Sequence, residues 1–281
     1  MTTLDRRLNA CRPDLADERL RGSVSAERFV TGELARITAP VIPLRPAPDT
    51  ERGIDTELLF GEAVRVFDRA DGWAWVQAVE DGYVGYLPDT SLAEPEDHTH
   101  VVCVPRTFLY PAPELRRPAA AALSMGSRVR IVGEAETRGT RYLMLADGSA
   151  LIAGHCMPVG EIVSDDYVAV AARFLETPYL WGGRSGFGID CSALVQLSLM
   201  MTGRSAPRDS DMQAQFGSEI SRDELRRGDL VFWKGHVGLM EDEETLLHAN
   251  GHTMTVARED FAGAVRRIGW LYSQPTGFRR L

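Results

Sequence analysis

A motif that returns at a fixed distance limits a fold more tightly than composition does, and this chain carries three such motifs in one register. Residues 44–48 read LRPAP and residues 109–113 read LYPAP, while 61–66 read GEAVRV and 126–131 read GSRVRI, each pair 65 residues apart. The pair Asp81 and Gly82 returns as Asp147 and Gly148, 66 residues on. Short β-prone runs broken by Pro and Gly lie between these landmarks, which predicts two copies of an all-β unit of about 60 residues, parted near His98. Units with so many short strands usually close into barrels, which removes their edges. The copies are unequal. The first has Trp73, Trp75, Tyr83 and Tyr86, where the second has Arg141 and Leu143 near the tryptophans and Ser149 and Ile152 near the tyrosines. Aromatics in small barrels are mostly core, but a tyrosine pair on a strand can also touch a ligand, so only the first copy is a candidate for recognition.

Ahead of the repeat, residues 1–34 read as a polar, charged lead with a short helix predicted over 26–34. The net charge of -9 argues against nucleic acid or an anionic membrane as the main partner, since neither is held by counterion release. A small cationic or zwitterionic substrate stays compatible. No apolar run of signal-peptide length lies in 1–20 and nothing elsewhere approaches a membrane span, so a soluble cytoplasmic protein is expected. Cys11, Cys103, Cys156 and Cys191 show no C-x-x-C spacing, and His98 with His100 lacks further ligands at a fixed spacing. Neither a disulfide framework nor a metal or other cofactor is expected.

From residue 164 the period becomes helical. Asp165 or Asp166 can cap a helix presenting Tyr167, Val168, Ala171, Phe174 and Leu175, broken before Pro178. Next comes 179–203, YLWGGRSGFGIDCSALVQLSLMMTG, where a glycine-rich loop runs into a helix opening at Cys191. Leu194, Val195, Ser198, Met201 and Thr202 fall at helical steps and Gly203 ends it. A thiol at a helix N-terminus meets unpaired N–H groups and the positive end of the dipole, which should lower its pKa below about 8.5 and favour the reactive thiolate. The loop glycines, with no GK[ST] after them, predict close backbone approach to a substrate. Residues 207–215, PRDSDMQAQ, read as a turn and a short helix capped by Asp209 or Ser210, and Ser221 with Glu224 as a capping box. Strands follow over 230–233, 236–240 and 245–249, with a hairpin at Asn250 and Gly251 into 253–257. Helices first and an antiparallel sheet second is an α+β arrangement.

A thiolate nucleophile needs a base, and the base needs an orienting partner. His236 and His248 flank the acidic turn 241–244 symmetrically about 242. A hairpin with that centre sets them directly opposite each other on one sheet face, with Cβ atoms about 5 Å apart, so that one imidazole can fix the tautomer of the other. His252 falls at the next hairpin tip and is expected in solvent.

The segments YLWGG, DCSALV, PRDS with a downstream Gln, RRGDLVFW, HVGLM and LLHA, in this order over residues 165–257, resemble the motif series of the NlpC family of papain-like cell-wall cysteine peptidases. The paired β units resemble the bacterial SH3-like domains that precede this domain in intracellular muropeptide-recycling members. The resemblance implies an α+β papain-like catalytic domain over 163–281, preceded by two small all-β SH3-like barrels over 35–97 and 98–162. It implies a cysteine endopeptidase that cleaves the γ-D-glutamyl to diamino acid bond of peptides with a free N-terminal L-alanine. Under it Cys191 is the nucleophile, His236 the base and His248 the orienting residue. Tyr179 lines the oxyanion and substrate site, while Asp190, Ser192 and Asp209 contact the peptide, Asp190 and Asp209 near its free amine. Tyr86 is carried over from the first barrel as a further substrate contact. Ala193 stands where the family usually has Gly. The implied partner is a short peptidoglycan stem peptide. Two rivals are another amidase or acyltransferase on the same Cys-His-His triad and a non-catalytic peptidoglycan-binding protein.

Overall fold

The structure, a computed structural model, describes residues 4–281, and the chain divides into two compact units, one up to 102 with 107–159 and one of 103–106 with 160–281. In the first unit β1 (Leu15–Asp17) and β2 (Arg28–Val30) pair in parallel, and β3 (Glu33–Ile37) follows. No helix forms over 26–34, which corrects the sequence reading. Ala35 and Ile37 alternate into the first core, and Ala10 and Leu15 of the lead join Phe67, Trp75 and Val84 in a second cluster. Pairing and burial of strand faces outweigh the weak helical spacing there.

The first copy continues with β4 (Val41–Leu44), β5 (Thr56–Leu59), β6 (Ala63–Ala70), β7 (Trp73–Ala78), β8 (Val84–Pro88) and β9 (Leu92–Ala93). The second runs β10 (His100–Val102), β11 (Arg106–Leu109), β12 (Ala121–Ser124), β13 (Arg128–Val129), β14 (Gly133–Thr137), β15 (Thr140–Met144), β16 (Ala150–Ile152) and β17 (Cys156–Pro158). The pairing repeats. β3 pairs with β6 and β9 as β10 pairs with β13 and β17, β4 with β5 as β11 with β12, and β6–β7–β8 as β14–β15–β16. Two of the three sequence landmarks are turns: Gly61 and Gly126 have φ of 78° and 91°, Gly82 and Gly148 of 76° and 83°. Asp81 and Asp147 each accept the N–H two residues on, at 3.0 and 2.9 Å.

The β6–β7 and β14–β15 turns both place two residues at positive φ, Asp71 with Gly72 and Arg138 with Gly139. They lie 67 residues apart, so the counterpart of Trp75 is Tyr142, between the Arg141 and Leu143 named from the sequence. The cross-strand pairs agree: Trp75 faces Tyr86 and Tyr142 faces Ile152.

In the second unit Asp166 caps α1 (Tyr167–Ala172), its Oδ1 accepting from the N–H groups of Val168 and Ala169. After it come β18 (Arg184–Ser185), β19 (Gly188–Ile189), α2 (Cys191–Met200), α3 (Ser210–Gln213) and β20 (Ser218–Glu219). The chain then runs β21 (Leu230–Trp233), β22 (His236–Met240), β23 (Thr245–Asn250), β24 (Thr255–Asp260), α4 (Phe261–Leu271) and β25 (Gly277–Arg280). The sheet order is β20-β25-β21-β22-β23-β24, so the end of the chain returns to pair with β21. Val231, Trp233, Met240 and Leu246 pack with Phe261, Ala264, Val265 and Ile268 of α4. Each such side chain contributes about 1.5–3 kcal/mol on full burial when large. Residues 191–199 of α2 are all buried, so α2 is a central helix and not a surface one. Its polar Gln196 accepts from Arg184 Nε at 2.8 Å and donates to the Ala206 carbonyl at 3.2 Å. Among the described residues no helix is long and apolar enough to cross a membrane.

The loop glycines have a different reason from the one expected. A Cβ on Gly183 would stand 2.6 Å from the Gly188 carbonyl oxygen, and one on Gly186 would stand 2.0 Å from that of Pro105. The close approach is to the chain's own backbone.

Candidate active site

Cys191 is the first residue of α2 and Asp190 is its N-cap, with Asp190 Oδ1 accepting the Ala193 N–H at 2.8 Å. The Asp190 carboxylate has further partners: Gly182 N–H at 3.1 Å, the Ser192 hydroxyl at 3.2 Å, and Arg208, which donates to both oxygens at 3.0 and 2.7 Å. Arg208 is 1% exposed and also donates to Ser192 Oγ at 2.9 Å. A buried guanidinium thus balances a buried carboxylate beside the thiol. These contacts engage both oxygens of the Asp190 carboxylate. Gln213 of α3 ties that segment to α2 by donating to the Ser192 carbonyl at 2.9 Å.

β22 pairs Leu239 with Leu247 and Met240 with Leu246, so the hairpin is centred on 243 and not on 242. Extended by one residue, that register sets His248 across from Gly238, and a Cβ on Gly238 would stand 3.3 Å from His248 Cβ. The missing side chain leaves room for a diagonal contact. His236 Nε2 lies 2.9 Å from His248 Nδ1, with ring centroids 5.1 Å apart. His248 Nε2 in turn lies 3.2 Å from Glu259 Oε2, a contact that is an ion pair only when His248 is protonated. Arg267 of α4 grips Glu259 with two bonds of 2.9 and 2.5 Å. Glu259 on β24 pairs across from Leu246, two places from His248 on the same face.

Burial sets the electrostatics. It pushes the Cys191 thiol up to about 12, with the Asp190 charge adding to it. The Val237 N–H, the Arg208 charge and the Ser192 N–H pull the other way without winning. This corrects the expected lowering: the sulfur loses more by leaving water than it gains from the helix end. Burial also carries His236 down to about 3, helped by His248 and Arg267. Contact with His248, then with Arg267, holds Glu259 down to about 2 against its own burial. Burial thus favours the uncharged form of each group, the thiol of Cys191 and the neutral imidazole of His236. Burial likewise raises the Tyr179 phenol, with Cys191 and Asp190 as the next contributors, which places Tyr179 within electrostatic reach of both.

The structure brings Tyr179, Asp190, Cys191 and Ser192 together at one end of α2, and joins His236 to His248. Asp209 takes the N-cap position of α3, half-buried, without a capping bond from its side chain. Tyr86 belongs to the first unit, where its ring stacks on Trp75 and its hydroxyl accepts from Arg12 at 3.3 Å. His252 is exposed at the β23–β24 tip. Sequence reasoning missed Arg208, Gln213, Glu259 and Arg267. Arg208 and Gln213 were inside a quoted motif, whereas Glu259 becomes visible only when β24 is laid in register beside His248. Among the described residues no group of three His, Cys, Asp or Glu side chains is placed to hold a metal ion.

The NlpC/P60 family matches residues 176–267, and the bacterial dipeptidyl-peptidase Sh3 domain matches 44–92, within the first copy of the repeat. A gamma-D-glutamyl-L-lysine dipeptidyl-peptidase of Bacillus subtilis is 30% identical over 227 residues, which cover 71% of this chain and 73% of that protein. Dipeptidyl-peptidase 6 of Lysinibacillus sphaericus is 26% identical over 271 residues, 85% of this chain and 99% of its own. The crystal structure of an NlpC/P60 family protein from Bacillus cereus is similar in fold, with a TM-score of 0.73 and 22% identity over 88% of this chain and 99% of that one.

Proposed function

The chain belongs to the NlpC/P60 family of cysteine peptidases, with a bacterial SH3 domain ahead of the peptidase unit, and from that premise we propose that it hydrolyses the γ-D-glutamyl to diamino acid bond of short peptidoglycan stem peptides with a free N-terminal L-alanine. The observation that carries the mechanism is the chain of contacts from His236 through His248 to Glu259, with Cys191 at the start of the helix that packs on β22 and the Val237 N–H, next to His236 in sequence, reaching its sulfur. A carboxylate at Glu259 favours the proton on His248 Nε2, which leaves His248 Nδ1 as an acceptor. His236 Nε2 then carries a proton and donates, and His236 Nδ1 is left as the base.

Cys191 attacks the γ-glutamyl carbonyl as its proton passes to His236 Nδ1, because burial opposes a preformed ion pair. N–H groups at the start of α2 ahead of Ala193, whose own N–H is held by Asp190, bind the oxyanion, and Tyr179, kept protonated by its raised pKa, donates beside them. His236 gives its proton to the leaving amine and then takes one from the water that cleaves the thioester. The Asp190–Arg208 pair sets the start of α2 and the Ser192 hydroxyl. Asp209 meets the substrate's free amine. The same reading takes the two β copies as closed SH3-like barrels over 35–97 and 98–162, a view supported by their repeated pairing. It places the protein in the cytoplasm, where its four free thiols suit a reducing compartment.

Mass spectrometry of products from a panel of defined muropeptides tests the assignment. Cleavage after D-glutamate in free-amine peptides, with a roughly tenfold to hundredfold lower kcat/KM on N-acetylated ones, is the expected result. Cleavage at another amide or ester would move the protein to a different reaction, and equal rates on acetylated peptides would remove the amine contact alone.

A further inference from the structure

A cavity of about 450 Å³ opens beside His236, with Trp181, Trp233, Lys234, His252, Arg267 and Tyr272 in its wall. Among the described residues no aspartate or glutamate lines it, although the chain as a whole carries a net charge of -9. The charge of Arg267 is already balanced by Glu259. Lys234 is different: it is exposed in the β21–β22 turn and pairs with no carboxylate among the described residues. It is also the only lysine in the chain, set two residues before His236.

Position decides what such a cation would meet. The leaving amine must receive its proton from His236, so the residue that carries this amine lies against the same wall as Lys234. Asp209, which the reading above sets at the free amine, does not line this cavity, so the amine end of the substrate has its contact elsewhere. We propose, on the peptidase reading above, that Lys234 binds a carboxylate on the side chain of the leaving residue and so selects leaving residues with an anionic side-chain end over lysine. The apolar wall of Trp233, Ile268 and Tyr272 covers the methylenes of that side chain, and the flexible stem of Lys234 brings its ammonium to the end group. A lysine in the same place sets two ammonium groups together, which like-charge repulsion disfavours. Selection here departs from the lysine in the name of the Bacillus subtilis relative.

Three substrates of one length test this: L-alanyl-γ-D-glutamyl peptides that end in L-α-aminoadipate, L-norleucine or L-lysine. The expected order of kcat/KM is aminoadipate, norleucine, lysine, with the first exceeding the last by about tenfold or more. Lys234→Met should bring the three together, and Lys234→Glu should invert the order. A binding readout needs no turnover. Isotopic labelling of lysine alone gives one side-chain signal, and in the Cys191→Ala protein the aminoadipate peptide should move it while the norleucine peptide should not. The same order in wild type and Lys234→Met, or an unmoved signal, overturns the assignment and leaves the peptidase reading standing. No cleavage of any of the three by the wild type sinks the peptidase reading and the leaving-side assignment together.

Discussion

Gly61 and Gly126 hold the same left-handed turn in two copies of one β unit, whereas His236, His248 and Glu259 meet from three separate strands of the peptidase unit, with Cys191 on the helix packed beside β22. In the repeat the side chains have drifted: Tyr142 stands for Trp75 and Ile152 for Tyr86. The turns have not drifted, because a backbone at positive φ accepts few residues and a change there disturbs the pairing on both sides. In the peptidase unit the requirement is reversed. A buried thiol, two imidazoles and a carboxylate must each have a partner, and the loss of one atom leaves another unpaired in low dielectric. The first unit is thus constrained in its backbone and the second in its buried polar side chains.

The largest effect should come from Cys191→Ala. Hydrolysis should be abolished with the melting temperature unchanged, since a small side chain suits the start of α2. Substantial residual turnover would remove Cys191 from the reaction and with it the contrast. His248→Ala should lower kcat on the order of a hundredfold and change KM much less, because His248 acts through His236. If His252→Ala did this and His248→Ala did not, the wrong histidine has been placed in the contact chain.

The matching test in the first unit reads stability. An alanine Cβ at Gly61, where φ is 78°, would stand 2.0 Å from the Arg128 carbonyl oxygen, while one at Gly72, with φ of 80°, meets open space. Gly61→Ala should therefore cost about 2–4 kcal/mol by denaturant unfolding and Gly72→Ala about 1 kcal/mol. Equal losses would mean that the turn conformation alone matters, and not the approach of the second copy.

Acid should act on the peptidase unit in two windows. His236 is lowered from 6.5 to about 3, so the unfolded chain takes its proton first, and the loss of stability begins as pH falls through 6.5 and ends near 3. Glu259 is lowered from 4.5 to about 2, so its contribution is complete above 4.5 and is lost as pH falls toward 2. Melting temperature against pH should flatten in the upper window for His236→Gln and in the lower one for Glu259→Gln. Curves parallel to wild type in both would show that these groups titrate alike in the folded and unfolded chain.

The sequence by itself determined the repeat, the α+β order of the second half, the helix start at Cys191 and the strands that carry His236 and His248. Those features rest on local rules: turn residues, capping side chains and hydrophobic period act over a few positions and leave a pattern in the letters. Only the tertiary structure decided the rest. The hairpin centre lies at 243 because Glu241 N–H closes the turn on the Thr245 carbonyl while Asp242 accepts from Glu244 and Thr245, bonds that a spacing count cannot see. The thiol stands high and not low because all of α2 around it is buried, and burial is a property of what packs against a helix and not of the helix. Glu259 reached His248, and Arg208 reached Asp190, across 11 and 18 positions of sequence, distances that no local period spans.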